Sequence, residues 1–233
     1  MATEAKRLTP VKIIFSFGYL LIYPLLLLGL AGDWRWVEGW LFSFWFVGLS
    51  VVTMIYLYRK DPALLAERFR QPGTGGEKGW DKYFVYAIIV LFPLWIIVMP
   101  LDAKRYGWTG EFPLWLKTGV FGLLIVSSFF LFRAFSDNTF LSPLVRIQTE
   151  RQHRVVSTGV YGFVRHPMYL GAVCMFIGAP LLLSSLFGLL ISLLLTLALI
   201  VRINGEEKML ASELEGYADY RKKVKYRLIP FVW

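Results

Sequence analysis

The sequence predicts an all-α integral membrane protein, on three observations. The chain has 233 residues, of which 57% are hydrophobic and only 18% charged. A soluble domain averages about a quarter charged. Uncharged apolar runs of about 20 residues, the length that crosses a bilayer as a helix, recur along the first 132 residues. Lys and Arg then fall almost entirely on one set of the segments between the runs.

The runs come in order. Ile13 to Gly32 has no charge, and neither do Gly39 to Tyr58 and Tyr83 to Leu101. Phe112 to Phe132 is interrupted only by Lys117, which lies near one end and is expected to snorkel to the interface. Pro167 to Val201 is uncharged over 35 residues. As one helix it would be about 52 Å long at ~1.5 Å per residue, too long for a hydrocarbon core of about 30 Å. It therefore reads as a hairpin of two short helices, with Pro180 and Ser184-Ser185 marking the turn. The expectation is six transmembrane helices in a single membrane domain over 1–233. Four helices occupy 1–132, and a catalytic region with the hairpin and a C-terminal tail occupies 133–233.

Charge sets the orientation. Of the 25 Lys and Arg, 21 fall in the N-terminal tail and in 59–82, 133–165 and 202–227, whereas Arg35, Lys104, Arg105 and Lys117 fall on the other side. The positive-inside rule then puts both termini in the cytoplasm. Trp34, Trp36, Trp40, Trp108 and Trp115 gather near the outer surface as an aromatic belt. The first run is long and lacks a clear cleavage site, so it reads as a retained span. The short hydrophilic tail and the lack of a retention signal point to a bacterial inner membrane.

The net charge of +9 would suggest nucleic acid in a soluble protein; beside apolar runs it sets topology and meets anionic membrane lipids instead. Cys174 is the one cysteine, so no disulfide within the chain is possible, and His153 and His166, the only histidines, have no metal-ligand spacing. No metal and no nucleic acid are expected.

Polar chemistry concentrates in the segments flanking the hairpin. In Gly159-Val-Tyr161-Gly162-Phe-Val-Arg165-His166-Pro167-Met-Tyr169, Pro167 suits the first turn of a helix, which places His166 at its start. A helix N-terminus suits a carboxylate, and Tyr169 adds an aromatic face one turn in. The same stretch also fits a plain point where the chain enters the bilayer. Arg202 and Glu206, four residues apart, share a helix face directly after the last apolar residue, with Glu207 beside them. They read either as a surface ion pair or as an electrostatic anchor for a cation. The basic, tyrosine-rich segment from Glu213 to Trp233 reads as an interfacial amphipathic tail that can also help close a site.

Taken together, Gly159-Val-Tyr161, Arg165-His166-Pro167-Met-Tyr169, Glu206-Glu207 about forty residues on, and the tail ending in Ile229-Pro230-Phe231 resemble the isoprenylcysteine carboxyl methyltransferase family. That family is related to the membrane phospholipid methyltransferases. The likeness covers about 133–233, and the first spans match only in hydropathy. It implies an S-adenosylmethionine-dependent methyltransferase without a Rossmann domain, in keeping with the absence of Gly-x-Gly-x-x-Gly. By matching position, the resemblance implies that Gln148, His153, Val155 and Val156 line the cofactor site from the loop before the hairpin. Tyr161, His166, Pro167 and Tyr169 line it from the next segment, and Glu206 contacts the cofactor. Arg202, with Arg165, faces the substrate.

These roles are chemically coherent. The helix start receives the cofactor's carboxylate, Glu206 complements its cation or ammonium, and a tyrosine offers a π face. A carboxylate acceptor needs no base and is oriented by a guanidinium such as Arg202. An amine needs a base, for which Glu206 or Glu207 stands ready. The expected acceptor is a lipophilic, prenylcysteine-like carboxylate drawn from the bilayer. A phospholipid amine and a small thiol are the alternatives, and a transporter or a scaffold the non-enzymatic ones. The oligomeric state is not legible.

Overall fold

The computed structural model describes residues 10–73 and 76–233. Lys6 and Arg7 of the N-terminal tail, which entered the orientation argument, lie outside them. The described residues form α1 (Pro10–Ala31), α2 (Val37–Lys60), α3 (Pro62–Arg68), α4 (Asp81–Pro100), α5 (Leu114–Asp137), α6 (Pro167–Leu183), α7 (Leu186–Glu213) and α8 (Tyr217–Lys223). A π-helical turn, Leu101–Arg105, continues α4. Among the described residues, four helical stretches are long and apolar enough to cross a membrane: Val37–Lys60, Asp81–Arg105, Leu114–Asp137 and Leu186–Glu213. Leu20–Ala31 and Pro167–Leu183 are shorter apolar helices.

The expected hairpin forms, with a difference. Its turn is at Ser184-Ser185, where Ser184 takes a left-handed conformation (φ 60°) and the Ser185 side chain accepts the Gly188 N–H, capping α7. Pro180 lies inside α6. The second helix is not short: α7 runs 28 residues to Glu213 and carries Arg202, Glu206 and Glu207 as part of one rod. The turn is fastened by Asp102, fully buried, which accepts from Ser185 Oγ at 2.7 Å, from the Phe187 N–H at 3.1 Å and from both polar groups of Thr109.

Close backbone approach locks α5 against α6. A Cβ on Gly171 would stand 2.9 Å from the Leu131 nitrogen and 3.1 Å from the Ser127 carbonyl oxygen. Ser127 Oγ donates to the Gly171 carbonyl at 2.7 Å. Small residues and a hydroxyl are what helices use to meet where lipid replaces water. On the other side, Trp95 of α4 donates to Ser192 of α7 at 2.8 Å. The core between these pairs is fully buried at Leu27, Phe42, Trp95, Leu124, Leu195 and Ile203. Leu190, Leu193, Leu197 and Val201 stay exposed along one stripe of α7, as lipid-facing residues do.

Two expectations are corrected. Lys117 does not snorkel: it is buried, and its ammonium lies 2.6 Å from both Glu38 and Glu111, because nearby carboxylates compensate a cation better than a reach across apolar surface. Trp36 leaves the aromatic belt and is buried against Gly39, while Trp34, Trp108 and Trp115 remain exposed.

Candidate functional site

At the end of the bundle opposite the Ser184-Ser185 turn, the loop 138–165, the start of α6, the end of α7 and α8 enclose one cavity. It holds about 790 Å³ of empty space, the open solvent at its mouth included. Chain segments far apart in sequence meet here because α6 and α7 are antiparallel, which returns residue 202 to the level of residue 167.

Pro167 is the first residue of α6 and His166 its N-cap, as the motif predicts. The His166 ring stacks on Tyr169 (centroids 5.5 Å apart, planes at 12°). Its Nε2 lies 3.1 Å from Glu207 Oε1, and its Nδ1 4.0 Å from Glu206 Oε2. Tyr169 donates to Glu206 at 2.8 Å. Glu206 lines the cavity and is partly exposed to it, whereas Glu207, one residue on, is turned about 100° around the helix and buried.

Glu207 therefore does different work from Glu206. It takes a bidentate contact from Arg165 (2.7 and 3.0 Å) and the Tyr217 hydroxyl at 2.9 Å. Arg221 and Arg227 stand 3.5 and 3.7 Å away. It is no candidate base, since its oxygens are already committed to these donors. Arg165, expected to face substrate, lines the cavity, but Nε and Nη2 bind Glu207 and Nη1 donates to the carbonyls of Val224 and Lys225. It is a strut that holds the tail. The tail is fixed further by backbone bonds from Arg165 and His166 to the carbonyls of Tyr226 and Arg227, and by Tyr220 donating to the Tyr161 carbonyl at 2.7 Å. Burial pushes the Tyr217 and Tyr220 hydroxyls up, so both stay protonated donors.

Arg202 lines the cavity beneath Tyr169, with its guanidinium 4.2 Å over the Phe84 ring. Asp81, at the start of α4, already faces it: Nη2 donates to Oδ2 at 3.0 Å and to the Pro143 carbonyl at 2.7 Å. Nε lies 2.9 Å from Oδ1 without the alignment of a hydrogen bond. Asp81 also accepts the Val145 N–H at 2.8 Å. Nothing in the sequence marked Asp81, because its partner is 121 residues away.

The loop residues divide. His153, Val155, Val156 and Tyr161 line the cavity. Gln148 does not: it is fully buried behind the wall, donating to the Phe140 carbonyl at 2.6 Å and accepting from Arg151 at 2.7 Å. Its amide shapes the loop, which leaves no group to reach a ligand. Asn138, Met209, Tyr217 and Tyr220 also line the cavity. The two tyrosines were legible only as part of a polar tail, and the other two carried no signal.

His153 stacks on Phe140 (4.6 Å), and its Nδ1 accepts the Gln148 N–H at 3.4 Å. Burial, then the charges of Arg151 and Arg146, pull its pKa from 6.5 down to about 4. Between those values the unfolded chain binds a proton that the folded protein does not, so stability falls as pH drops from 6.5 toward 4. With two histidines in the chain, imidazole resonances can be assigned by substitution. The His153 ring stays neutral until about pH 4; titration near 6.5 would mean that the ring is not held in this contact.

Residues 116–215 match the phospholipid methyltransferase family. The protein-S-isoprenylcysteine O-methyltransferase of Schizosaccharomyces pombe is 38% identical over 85 residues, 36% of each chain. That of Saccharomyces cerevisiae is 38% identical over 93 residues, 39% of this chain and 38% of the relative. A mouse delta(14)-sterol reductase is 32% identical over 124 residues, 48% of this chain and 30% of the relative. The chain thus spans about a third of the length of these relatives. A solved eukaryotic intramembrane Ras methyltransferase (isoprenylcysteine carboxyl methyltransferase) aligns over 95% of this chain and 86% of its own, at 21% identity and a TM-score of 0.47. All the relatives compared are eukaryotic, so the bacterial membrane expected above gains no support. Over residues 116–215 the chain is therefore similar to the phospholipid methyltransferases, and over little more than a third of its length to the two yeast isoprenylcysteine O-methyltransferases.

Proposed function

We propose that this protein is an integral membrane methyltransferase that uses S-adenosylmethionine and acts on a lipophilic acceptor, in the first instance a prenylcysteine-like carboxylate. The observation that carries the reading is the cavity wall. It joins a carboxylate (Glu206), a helix start (His166 and Pro167), aromatic faces (Tyr161, Tyr169) and a buried guanidinium (Arg202), in a region akin to methyltransferases.

The residues fit the cofactor. Its amino-acid carboxylate suits the α6 N-terminus, its ammonium or sulfonium suits Glu206, and its adenine suits the apolar wall of His153, Val155 and Val156. When bound, it supplies a methyl group activated by the positive sulfur. The protein's part is to hold donor and acceptor in line, and positioning alone can supply much of the rate. A carboxylate acceptor needs no proton removed, so the chain has to supply orientation and a dry site rather than a base.

In this reading the chain is one membrane domain. Four N-terminal spanning helices (α1, α2, α4 and α5, 1–132) support a catalytic region (133–233), in which α6 and α7 complete six spans. Both termini lie on the cytoplasmic side, where the cavity meets soluble cofactor while the acceptor arrives from the bilayer. The family match of residues 116–215 favours a phospholipid amine as the second reading, with Glu206 then the base.

The test is calorimetric binding of S-adenosylmethionine to the detergent-purified protein. Wild type binds, and His166→Ala and Glu206→Ala each weaken binding by about 10-fold or more, the scale of a lost charge-assisted contact. Unchanged affinity in both variants would put the cofactor elsewhere. Labelled-methyl product analysis then separates ester from amine.

A further inference from the structure

The cavity end of the bundle carries a second feature, outside the cavity, in which apolar and basic side chains meet. Phe163, Phe231 and Val232 are 72%, 88% and 76% exposed. Large apolar groups exposed together mark a contact surface. Phe163 and Phe231 line one surface groove with Tyr226, Pro230, Lys223 and Lys225. Tyr217, Tyr220 and Val224 bury one face of α8, which leaves Lys222 and Lys223 outside. Lys222 is taken by Asp219 at 2.8 Å, whereas Lys223 and Lys225 make no ion pair among the described residues. Beyond α8 the chain folds back: Leu228 donates to the Trp233 oxygen and Trp233 to the Ile229 carbonyl, both at 3.0 Å. Within that turn Phe231 has a left-handed backbone (φ 65°), costly for an aromatic residue, and its ring rests against Tyr226 with centroids 5.1 Å apart. A strained residue that displays an apolar ring points to a use for the ring.

The helices place this patch at the membrane surface. The apolar helix α6 starts at Pro167. The Arg202 guanidinium lies 6.0 Å from the Tyr169 ring, so Val201, the end of the lipid-facing stripe of α7, is level with that start. The tail is pinned at the same level, where the Arg165 and His166 N–H groups donate to the carbonyls of Tyr226 and Arg227 at 3.0 and 2.9 Å. Phe163 precedes Pro167 by four residues. The patch therefore stands where the chain leaves the hydrocarbon, among the lipid headgroups. Its charge selects among them. Residues 217–233 carry five basic side chains and one acidic, Asp219, and anionic headgroups attract such segments. Apolar rings beside the cations enter the boundary between headgroups and acyl chains.

We propose that this groove is a binding site for an anionic phospholipid of the surrounding membrane, separate from the cavity. Lys223 and Lys225 hold the negatively charged headgroup, and Phe163 and Phe231 pack against the top of the acyl chains. The two lysines are the cations of the tail that are left for a ligand: Arg227 stands 3.7 Å from Glu207 and donates to Asn204 at 2.9 Å, Arg221 stands 3.5 Å from Glu207, and Lys222 is on Asp219. The site does not depend on the methyltransferase reading.

The experiment titrates the full chain in detergent with phosphatidylglycerol and with phosphatidylcholine of the same acyl chains, and counts bound lipid by native mass spectrometry. Wild type prefers phosphatidylglycerol by about 10- to 30-fold, at roughly fivefold for each lysine. Lys223→Gln together with Lys225→Gln abolishes that preference by weakening phosphatidylglycerol, and leaves phosphatidylcholine within about twofold. Phe231→Ser weakens both lipids by a similar factor, because it removes apolar contact and no charge. Arg59→Gln together with Lys60→Gln makes the same change of charge at the exposed end of α2, on the same side of the bundle, and keeps the preference within about twofold. A wild type that holds both lipids alike, or a preference that survives loss of the two lysines, overturns the proposal. So does an equal loss in the α2 variant, which would mean that net charge alone attracts the lipid. Neither titration contains cofactor, so failure to bind S-adenosylmethionine strikes the methyltransferase reading alone.

Discussion

Replacing Glu207 with glutamine lowers stability by about 3–5 kcal/mol, the cost of breaking a buried ion pair from one side. For a chain of this length that is roughly 6–20 °C in melting temperature. Glu207 is the point at which α7, the α6 start and the tail are tied: it accepts from Arg165, His166 and Tyr217. Glutamine is nearly isosteric, but it removes the charge and turns one acceptor oxygen into a donor that faces Arg165 or His166. The buried Arg165 guanidinium then keeps the Val224 and Lys225 carbonyls and one amide oxygen, with no charge to balance it. The damage is local first, so the segment after Gly216 becomes sensitive to protease before the spans unfold. Differential scanning fluorimetry in detergent, with limited proteolysis, reads both. A glutamine variant that melts with wild type would mean that the tail is held by its backbone bonds and not by this carboxylate.

The second large effect separates structure from chemistry at Arg202. Arg202→Met strands Asp81, which is almost wholly buried, and costs about 3–5 kcal/mol. Adding Asp81→Asn removes the stranded charge and recovers most of that loss, since the asparagine still accepts from the Val145 N–H, as Asp81 does at 2.8 Å. Methyl transfer does not recover. If Arg202 orients the acceptor as proposed, the double variant binds S-adenosylmethionine within about threefold of wild type and turns over at least tenfold more slowly, because that guanidinium is gone. Recovery of both stability and turnover in the double variant would reduce Arg202 to a brace for α4. The coupling between the two substitutions is read directly as a double-mutant cycle.

The membrane character was legible in the sequence, and so were four of the helices and the hairpin turn, because hydropathy and turn chemistry act over short stretches of chain. Pro167 opening α6, and Tyr161, His166, Tyr169, Arg202 and Glu206 facing one space, were legible as an ordered motif. The division of labour within that motif was not. Glu206 and Glu207 are chemically identical neighbours, and only the rotation of α7 turns one to the cavity and buries the other against Arg165. Gln148 looked like a contact residue and proved to brace its own loop. Asp81 and Lys117 take their significance from partners across the bundle. The sequence by itself determined where the chain meets lipid and which residues could do polar chemistry. The tertiary structure alone decided which charge compensates which, since compensation depends on groups brought together from as far as 121 residues apart.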